Sequence, residues 1–162
     1  MLIADAQVHI WAANTPDRPW AAGRKPQRPV PFSKDDLLRE MDAAGVQRAL
    51  IHPPSWEGER NDLGLEAARL HPDRFAVMGR LDIDSPNARG QVKTWREQQP
   101  GMLGLRITFK SQGNPAEDWY WAEAEGAGVP MHRGRSPRST ARSPTTHVSA
   151  KTGHLRWSPT FT

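Results

Sequence analysis

The sequence predicts an α/β fold of consecutive βα units whose strands lie parallel in one sheet. Two observations carry that prediction. Short apolar runs begin at Val46, Arg74, Met102 and Val129, spaced 28, 28 and 27 residues apart, which is the length that a strand, a crossover helix and two short loops occupy. Between the runs stand segments with helix-start and helix-stop residues and with apolar side chains at helical spacing.

Taken in order, Asp5-Ala6-Gln7-Val8-His9-Ile10-Trp11 reads as the opening strand. Alternation places Asp5, Gln7 and His9 on one face and Leu2, Ala4, Ala6, Val8 and Ile10 on the other. Three polar groups aimed one way from an otherwise apolar strand point to a site at the strand's end. The stretch from Ala12 to Pro31 carries Pro16, Pro19, Pro26 and Pro29 together with Arg18, Trp20, Arg24, Lys25 and Arg28. It reads as a long loop over the strand ends, where loops of parallel α/β sheets gather function. Trp11, Trp20 and the arginines would then contact an anionic substrate; the alternative is a solvated loop with Trp20 packed down for stability.

Ser33-Lys34-Asp35-Asp36 is a capping-box-like helix start, followed by Leu37, Met41 and Ala44 and closed by Gly45. A second helix is predicted from Asn61 or Asp62, with Leu63, Ala67 and Leu70 as its buried stripe and an end before His71-Pro72. Asp82 and Asp84 flank Ile83 and suit a turn into the third helix. Ser85 and Pro86 read as the N-cap and first residue of that helix, with Ala88, Val92 and Trp95 on one face. Asn114-Pro115-Ala116-Glu117 opens a fourth helix that ends around Gly126 to Gly128, and Val129-Pro130-Met131 begins another strand.

A length of 162 residues suits one domain but falls short of the roughly 250 of a closed eight-stranded α/β barrel. The absence of cysteine excludes disulfides, thiolate zinc sites and cysteine nucleophiles, and is compatible with a reducing cytoplasm. Met1 to Ala4 is too short for a secretion signal, and no apolar run has the length of a membrane span. A non-secreted, cytoplasmic protein without a membrane partner is therefore expected. The net charge of +4 is unevenly placed: residues 1 to 130 hold 16 of the 22 Lys and Arg and all 18 Asp and Glu, whereas 131 to 162 hold 6 basic and no acidic residues. The expected division is an N-terminal unit over 1–131 and a disordered Arg/Ser/Pro/Thr-rich tail over 132–162. That composition is also what GC-rich DNA yields in a shifted frame, so a truncation or frameshift near residue 131 is expected. Such a tail binds polyanions nonspecifically, and no motif points to a specific nucleic-acid partner.

Gln7-Val8-His9, Thr15-Pro16-Asp17-Arg18-Pro19-Trp20, Pro53-Pro54-Ser55-Trp56-Glu57-Gly58, Arg74-Phe75-Ala76-Val77-Met78-Gly79-Arg80 and Gly101-Met102-Leu103-Gly104-Leu105-Arg106 follow one another at βα spacing. In that order they resemble the amidohydrolase-related (amidohydrolase-2) TIM-barrel hydrolases over about four fifths of the chain. The resemblance implies a partial (β/α)8 barrel of about the first four βα units. It also implies hydrolysis of an amide, ester or lactone bond in a small, carboxylated substrate, although some relatives decarboxylate aromatic acids. A His-x-His pair opens such barrels and often binds a divalent metal, zinc or manganese. Here Gln7 stands in place of the first histidine. His9 is accordingly the candidate metal ligand and, with Gln7, the candidate catalytic pair that positions water, metal or substrate. A metal-free lactonase branch, which positions water with a carboxylate, accommodates Gln7 better than imidazole-based ligation does. The family's later histidines and catalytic aspartate have no counterpart in this sequence.

Arg106 is the candidate grip on a substrate carboxylate, through two parallel hydrogen bonds that lysine cannot imitate; the alternative is an ion pair with Asp82 or Asp84. Trp11 and Trp56 complete the expected substrate contacts. His52 and His132 are weaker candidates, the first a loop histidine, the second one residue nearer Pro130 than the family pattern asks. A half barrel leaves two sheet edges and many interior positions unpartnered, which favours homo-oligomerisation. The competing function is a catalytically inactive barrel fragment or interaction module.

Overall fold

A computed structural model of the protein describes residues 1–98, 100–108 and 119–134. Its elements are β1 (Ala4–Val8), α1 (Lys34–Ala44), β2 (Arg48–Ile51), a 3-10 turn (Ser55–Glu57), α2 (Asp62–Leu70), β3 (Phe75–Arg80), α3 (Ala88–Lys93), α4 (Trp95–Gln98), β4 (Met102–Thr108), α5 (Trp119–Gly126) and β5 (Met131–Gly134). All neighbouring strands pair in parallel, in the order β1-β2-β3-β4-β5. The result is a five-stranded half barrel: the four βα units expected, followed by the strand expected after Val129. The tail beyond Gly134 and the fourth helix's predicted start at Asn114 lie outside the described residues. No helix among the described residues is long and apolar enough to cross a membrane.

One face of the sheet carries the core. Ala49, Ile51, Val77, Leu105 and Ile107 are buried in one cluster with Leu37 and Met41 of α1, Ala67 and Ala68 of α2, Val92, Trp95, and Tyr120 and Ala124 of α5. Because side chains alternate along a strand, Met78, Arg80, Gly104 and Arg106 turn to the opposite, lumenal face. The helices therefore hold the sheet from behind and leave that face for chemistry.

Local sequence explains the elements and their departures from expectation. Helix α1 starts on a complete capping box: Ser33 Oγ accepts from Asp36 N, and Asp36 Oδ2 accepts from Ser33 N at 2.9 Å. It ends at Gly45, whose φ of 70° is the left-handed cap. Leu37 and Met41 are buried as predicted, but Ala44, the helix's last residue, is exposed. In α2 the buried face is Gly64, Ala67 and Ala68, not the leucine stripe. A Cβ at Gly64 would sit 3.3 Å from both Ile51 and Val77, so small residues bring this helix close to the sheet and turn the leucines to its flanks. Leu70 is consequently 44% exposed. Ser85 and Pro86 lie in a turn, and α3 begins at Ala88 after Asn87. Asp82 Oδ1 accepts from Asp84 N at 3.2 Å and the Asp82 carbonyl accepts from Ser85 N, so the aspartates build the turn that postpones the helix. Ala88, Val92 and Trp95 are buried as expected.

Strand β1 departs most. It pairs only with β2 among the described strands, and Ala4 to Gln7 are exposed whichever face they occupy. An edge strand has only one neighbour to cover it, so the predicted apolar face is not buried before Val8.

Gly101 supplies a stability test. Its φ is 90°, and a Cβ there would lie 2.7 Å from Ala68 Cβ. Gly101→Ala combines left-handed strain with overpacking and is expected to cost about 2 kcal/mol. Urea unfolding checks this; an unchanged midpoint would show that the turn relaxes freely.

Candidate active site

Five strand ends deliver five nitrogen-bearing side chains to the lumenal face. Val8 pairs with Ile51, which sets His9 and His52 next to each other just past β1 and β2. Arg80 pairs with Arg106, and Arg106 with His132, across β3, β4 and β5. Asn61 fixes the end of β3, its Oδ1 accepting from Arg80 N at 2.7 Å and its Nδ2 donating to Arg80 O at 2.9 Å.

The imidazoles have defined tautomers because carbonyls only accept. His9 Nδ1 lies 2.6 Å from the His52 carbonyl oxygen, so it carries the proton and Nε2 keeps the lone pair. His52 Nε2 lies 3.1 Å from the Ala6 carbonyl and carries the proton there. His52 Nδ1 is thus a bare acceptor; it is buried and has no hydrogen-bond partner among the described residues. The His52 ring is 2% exposed and meets His132 edge-on, with centroids 5.1 Å apart. Burial, then the Arg106 charge, then His132 push the His52 pKa down to about 4, which keeps this imidazole neutral near pH 7. Burial likewise lowers His9, against the opposing pull of its bond to His52, with Arg106 and Arg80 adding to the drop. Burial and Arg106 lower His132.

Arg106 stands at the centre of this group. Its Nε and Nη1 are buried without hydrogen-bond partners among the described residues, and no ion pair to Asp82 or Asp84 is found there. Burial, reinforced by Arg80, shifts its pKa downward, yet a guanidinium remains cationic in proteins. Arg80 Nη2 pairs with Glu59 at 3.0 Å. The nearby buried carboxylate, Glu57, is already taken: it pairs with Arg18 and accepts from Ala12 N at 2.9 Å.

The loop from Ala12 to Pro31 is an ordered strap, and its arginines are not free for substrate. Arg18 donates to Glu57 at 2.6 Å and to both oxygens of Asp62 at 2.6 and 2.9 Å. Arg24 donates to Ser55 Oγ, and Arg28 pairs with Glu40. Trp20 is half-buried with Nε1 donating to the Ala12 carbonyl, in keeping with the packed alternative. Trp11 is 5% exposed, packs on Phe32 and Trp56, and donates Nε1 to the Val30 carbonyl at 3.0 Å. Its surroundings are therefore those of a core residue. Trp56 does reach the site, edge-on to His9 with centroids 5.8 Å apart.

Of the predicted site residues, the structure brings together His9, Trp56 and Arg106. Gln7 is exposed on the edge strand, its backbone N donating to Asp5 Oδ1. His52 and His132 are central, and Arg80 is the residue that sequence reasoning passed over.

The same donors bear on the expected zinc or manganese ion. Among the described residues no three His, Cys, Asp or Glu side chains stand together as a metal cage. The three imidazoles share their surroundings with Arg106, whose charge opposes a divalent cation, and among the described residues no free carboxylate offsets it. These residues do not fit a divalent metal.

No protein-family model and no curated protein matches the chain, but solved structures do. A probable 2-pyrone-4,6-dicarboxylic acid hydrolase from Acinetobacter baumannii, with citric acid bound, superposes with a TM-score of 0.65 at 14% identity, over 82% of this chain and 49% of that one. A zinc-bound amidohydrolase from Burkholderia multivorans gives 0.60 at 18% identity, over 81% and 48%. This chain has the half-barrel fold that these structures share. The 5-carboxyvanillate decarboxylase of Sphingomonas paucimobilis shares it too, at 0.60 and 19% identity, over 80% and 50%. The half barrel thus spans about half the length of each of these structures, and hydrolases and decarboxylases alike are among its neighbours.

A pH dependence follows from the neutral imidazoles. His52 has its pKa lowered to about 4 in the folded protein against about 6.5 unfolded. Below pH 6.5 the unfolded chain takes up a proton that the folded chain refuses, so stability falls as pH drops from 6.5 toward 4. The slope approaches about 1.4 kcal/mol per pH unit for one such group, and His9 and His132 act in the same direction. Urea midpoints across this range should decline steadily; His52→Phe should flatten the decline, and a flat wild-type profile would contradict the buried neutral ring.

Proposed function

We propose that the half barrel is the substrate-holding part of an amidohydrolase-type hydrolase that opens an amide, ester or lactone bond in a small carboxylated substrate. The observation that carries this reading is Arg106, a half-buried guanidinium whose buried Nε and Nη1 lack partners among the described residues, with imidazoles around it. A buried cation without a counter-charge is costly, and a substrate carboxylate is the natural complement to its planar fork. The bound citric acid and the dicarboxylic acid substrate named for the Acinetobacter baumannii structure are of the same chemical class. In this reading Arg106 fixes the carboxylate, Arg80 adds positive potential, and Trp56 walls the site beside His9. His9, its Nδ1 proton held by the His52 carbonyl, presents Nε2 as the acceptor for a proton from the attacking water.

Decarboxylation is the second reading, favoured by the 5-carboxyvanillate decarboxylase neighbour. Loss of carbon dioxide requires a carboxylate to shed its charge, and a guanidinium fork that stabilises the carboxylate opposes that step. Hydrolysis of a bond elsewhere in the anchored molecule is not opposed.

The test is a panel of carboxylated lactones, esters and amides, their uncarboxylated analogues, and hydroxybenzoates, with proton release and carbon dioxide followed separately. Ring opening or ester cleavage confined to carboxylated members is the expected outcome. Carbon dioxide release without cleavage would favour decarboxylation, and binding without any turnover would favour the interaction-module alternative.

A further inference from the structure

His52 carries information that the carboxylate reading does not use. Its Nε2 proton is committed to the Ala6 carbonyl, so the buried Nδ1 faces its surroundings as a lone pair with no partner among the described residues. Beside it are the Arg106 donors, likewise without partners among the described residues, and the half-buried ring of His132. A carboxylate satisfies the guanidinium but cannot satisfy His52, because an ionised carboxylate has no proton to give. A complement that satisfies both groups holds an anion and a hydrogen-bond donor. An ammonium would supply the donor but would meet the positive charges of Arg106 and Arg80. A hydroxyl meets no such repulsion, and it can donate to His52 Nδ1 while accepting from a remaining guanidinium N–H.

We propose that this site selects carboxylates that also bear a hydroxyl group, with Arg106 taking the carboxylate and His52 Nδ1 taking the hydroxyl proton; the proposal rests on the carboxylate reading of Arg106. His52 is thus a specificity-determining residue. A site that leaves a buried acceptor unpaired when the hydroxyl is missing discriminates strongly against the deoxy analogue.

Calorimetric titration of the full chain with malate, each enantiomer in turn, and with succinate tests this directly, since these ligands differ only by one hydroxyl. Wild type is expected to bind one malate enantiomer at least tenfold more tightly than succinate. His52→Phe should bring the ratio near one while changing succinate affinity less than threefold, and Arg106→Gln should weaken both ligands together. Equal wild-type affinities would overturn the hydroxyl proposal and leave the Arg106 reading standing, a comparison that needs no variant to fold. A preference that survives in His52→Phe would overturn it as well. Failure of wild type to bind either ligand would overturn both readings.

Discussion

Arg106→Gln is expected to weaken binding of a small dicarboxylate roughly 100-fold, about 3 kcal/mol, while leaving the unfolding midpoint unchanged or raising it. The two effects have one cause. In the free protein the Arg106 Nε and Nη1 groups are buried without partners among the described residues, so the folded state bears a desolvation cost that glutamine reduces. In the complex the carboxylate compensates that cost, and removing the guanidinium removes the compensation. A structural arginine behaves in the opposite way, because its loss destabilises the fold. Arg106→Lys should also bind weakly, since an ammonium keeps the charge but not the paired geometry. Calorimetry and urea unfolding on the same preparations check both halves. A destabilised Arg106→Gln protein with wild-type affinity would make the residue a scaffold.

The second large effect belongs to the strap. Arg18→Ala should destabilise the protein by about 3 kcal/mol, because it strips the partner from Glu57, which is 3% exposed. The same change releases Asp62 at the start of α2, whose pKa is held down chiefly by its hydrogen bonds from Arg18. It also detaches the loop from the Ser55–Glu57 turn that carries Trp56 to the side of His9. Adding Glu57→Gln should restore part of the loss by removing the stranded charge, and a double-mutant cycle isolates that coupling. A loss below about 1 kcal/mol, in the range of exposed ion pairs, would mean that water reaches Glu57 and that the strap is not anchored there.

Much of this architecture is legible in the residues. Apolar runs at a near-constant interval gave the parallel strands, and Ser33 with Asp36 and Gly45 marked both ends of α1. What escaped was set by neighbours. In the α2 stripe Ala67 is buried as expected, but Leu63 and Leu70 lie to the flanks because Gly64 and Ala68 join Ala67 in bringing the helix against Ile51 and Val77. The alternation of β1 does not show as burial, because burial depends on flanking strands, an edge strand lacks one, and the register with β2 shifts between Asp5 and Val8. The site itself was partly hidden by weighing each histidine alone. His52, Arg80, Arg106 and His132 are 28, 26 and 26 residues apart, nearly the period of the strands that carry them. Side chains repeating with the βα unit occupy equivalent strand ends, and that rule would have selected Arg80 and promoted His52 and His132 without coordinates.

The central claim is that a half-buried guanidinium on β4, among neutral imidazoles, waits for a carboxylate. Proton–nitrogen correlation spectra of the arginine Nε–H groups, with Arg106 assigned by its lysine variant, follow that group directly during a succinate titration. A saturable shift of the Arg106 resonance, with exposed Arg28 and Arg39 unmoved, is the predicted result. An Arg106 signal that stays in place, or that moves only in step with those surface arginines, would contradict it.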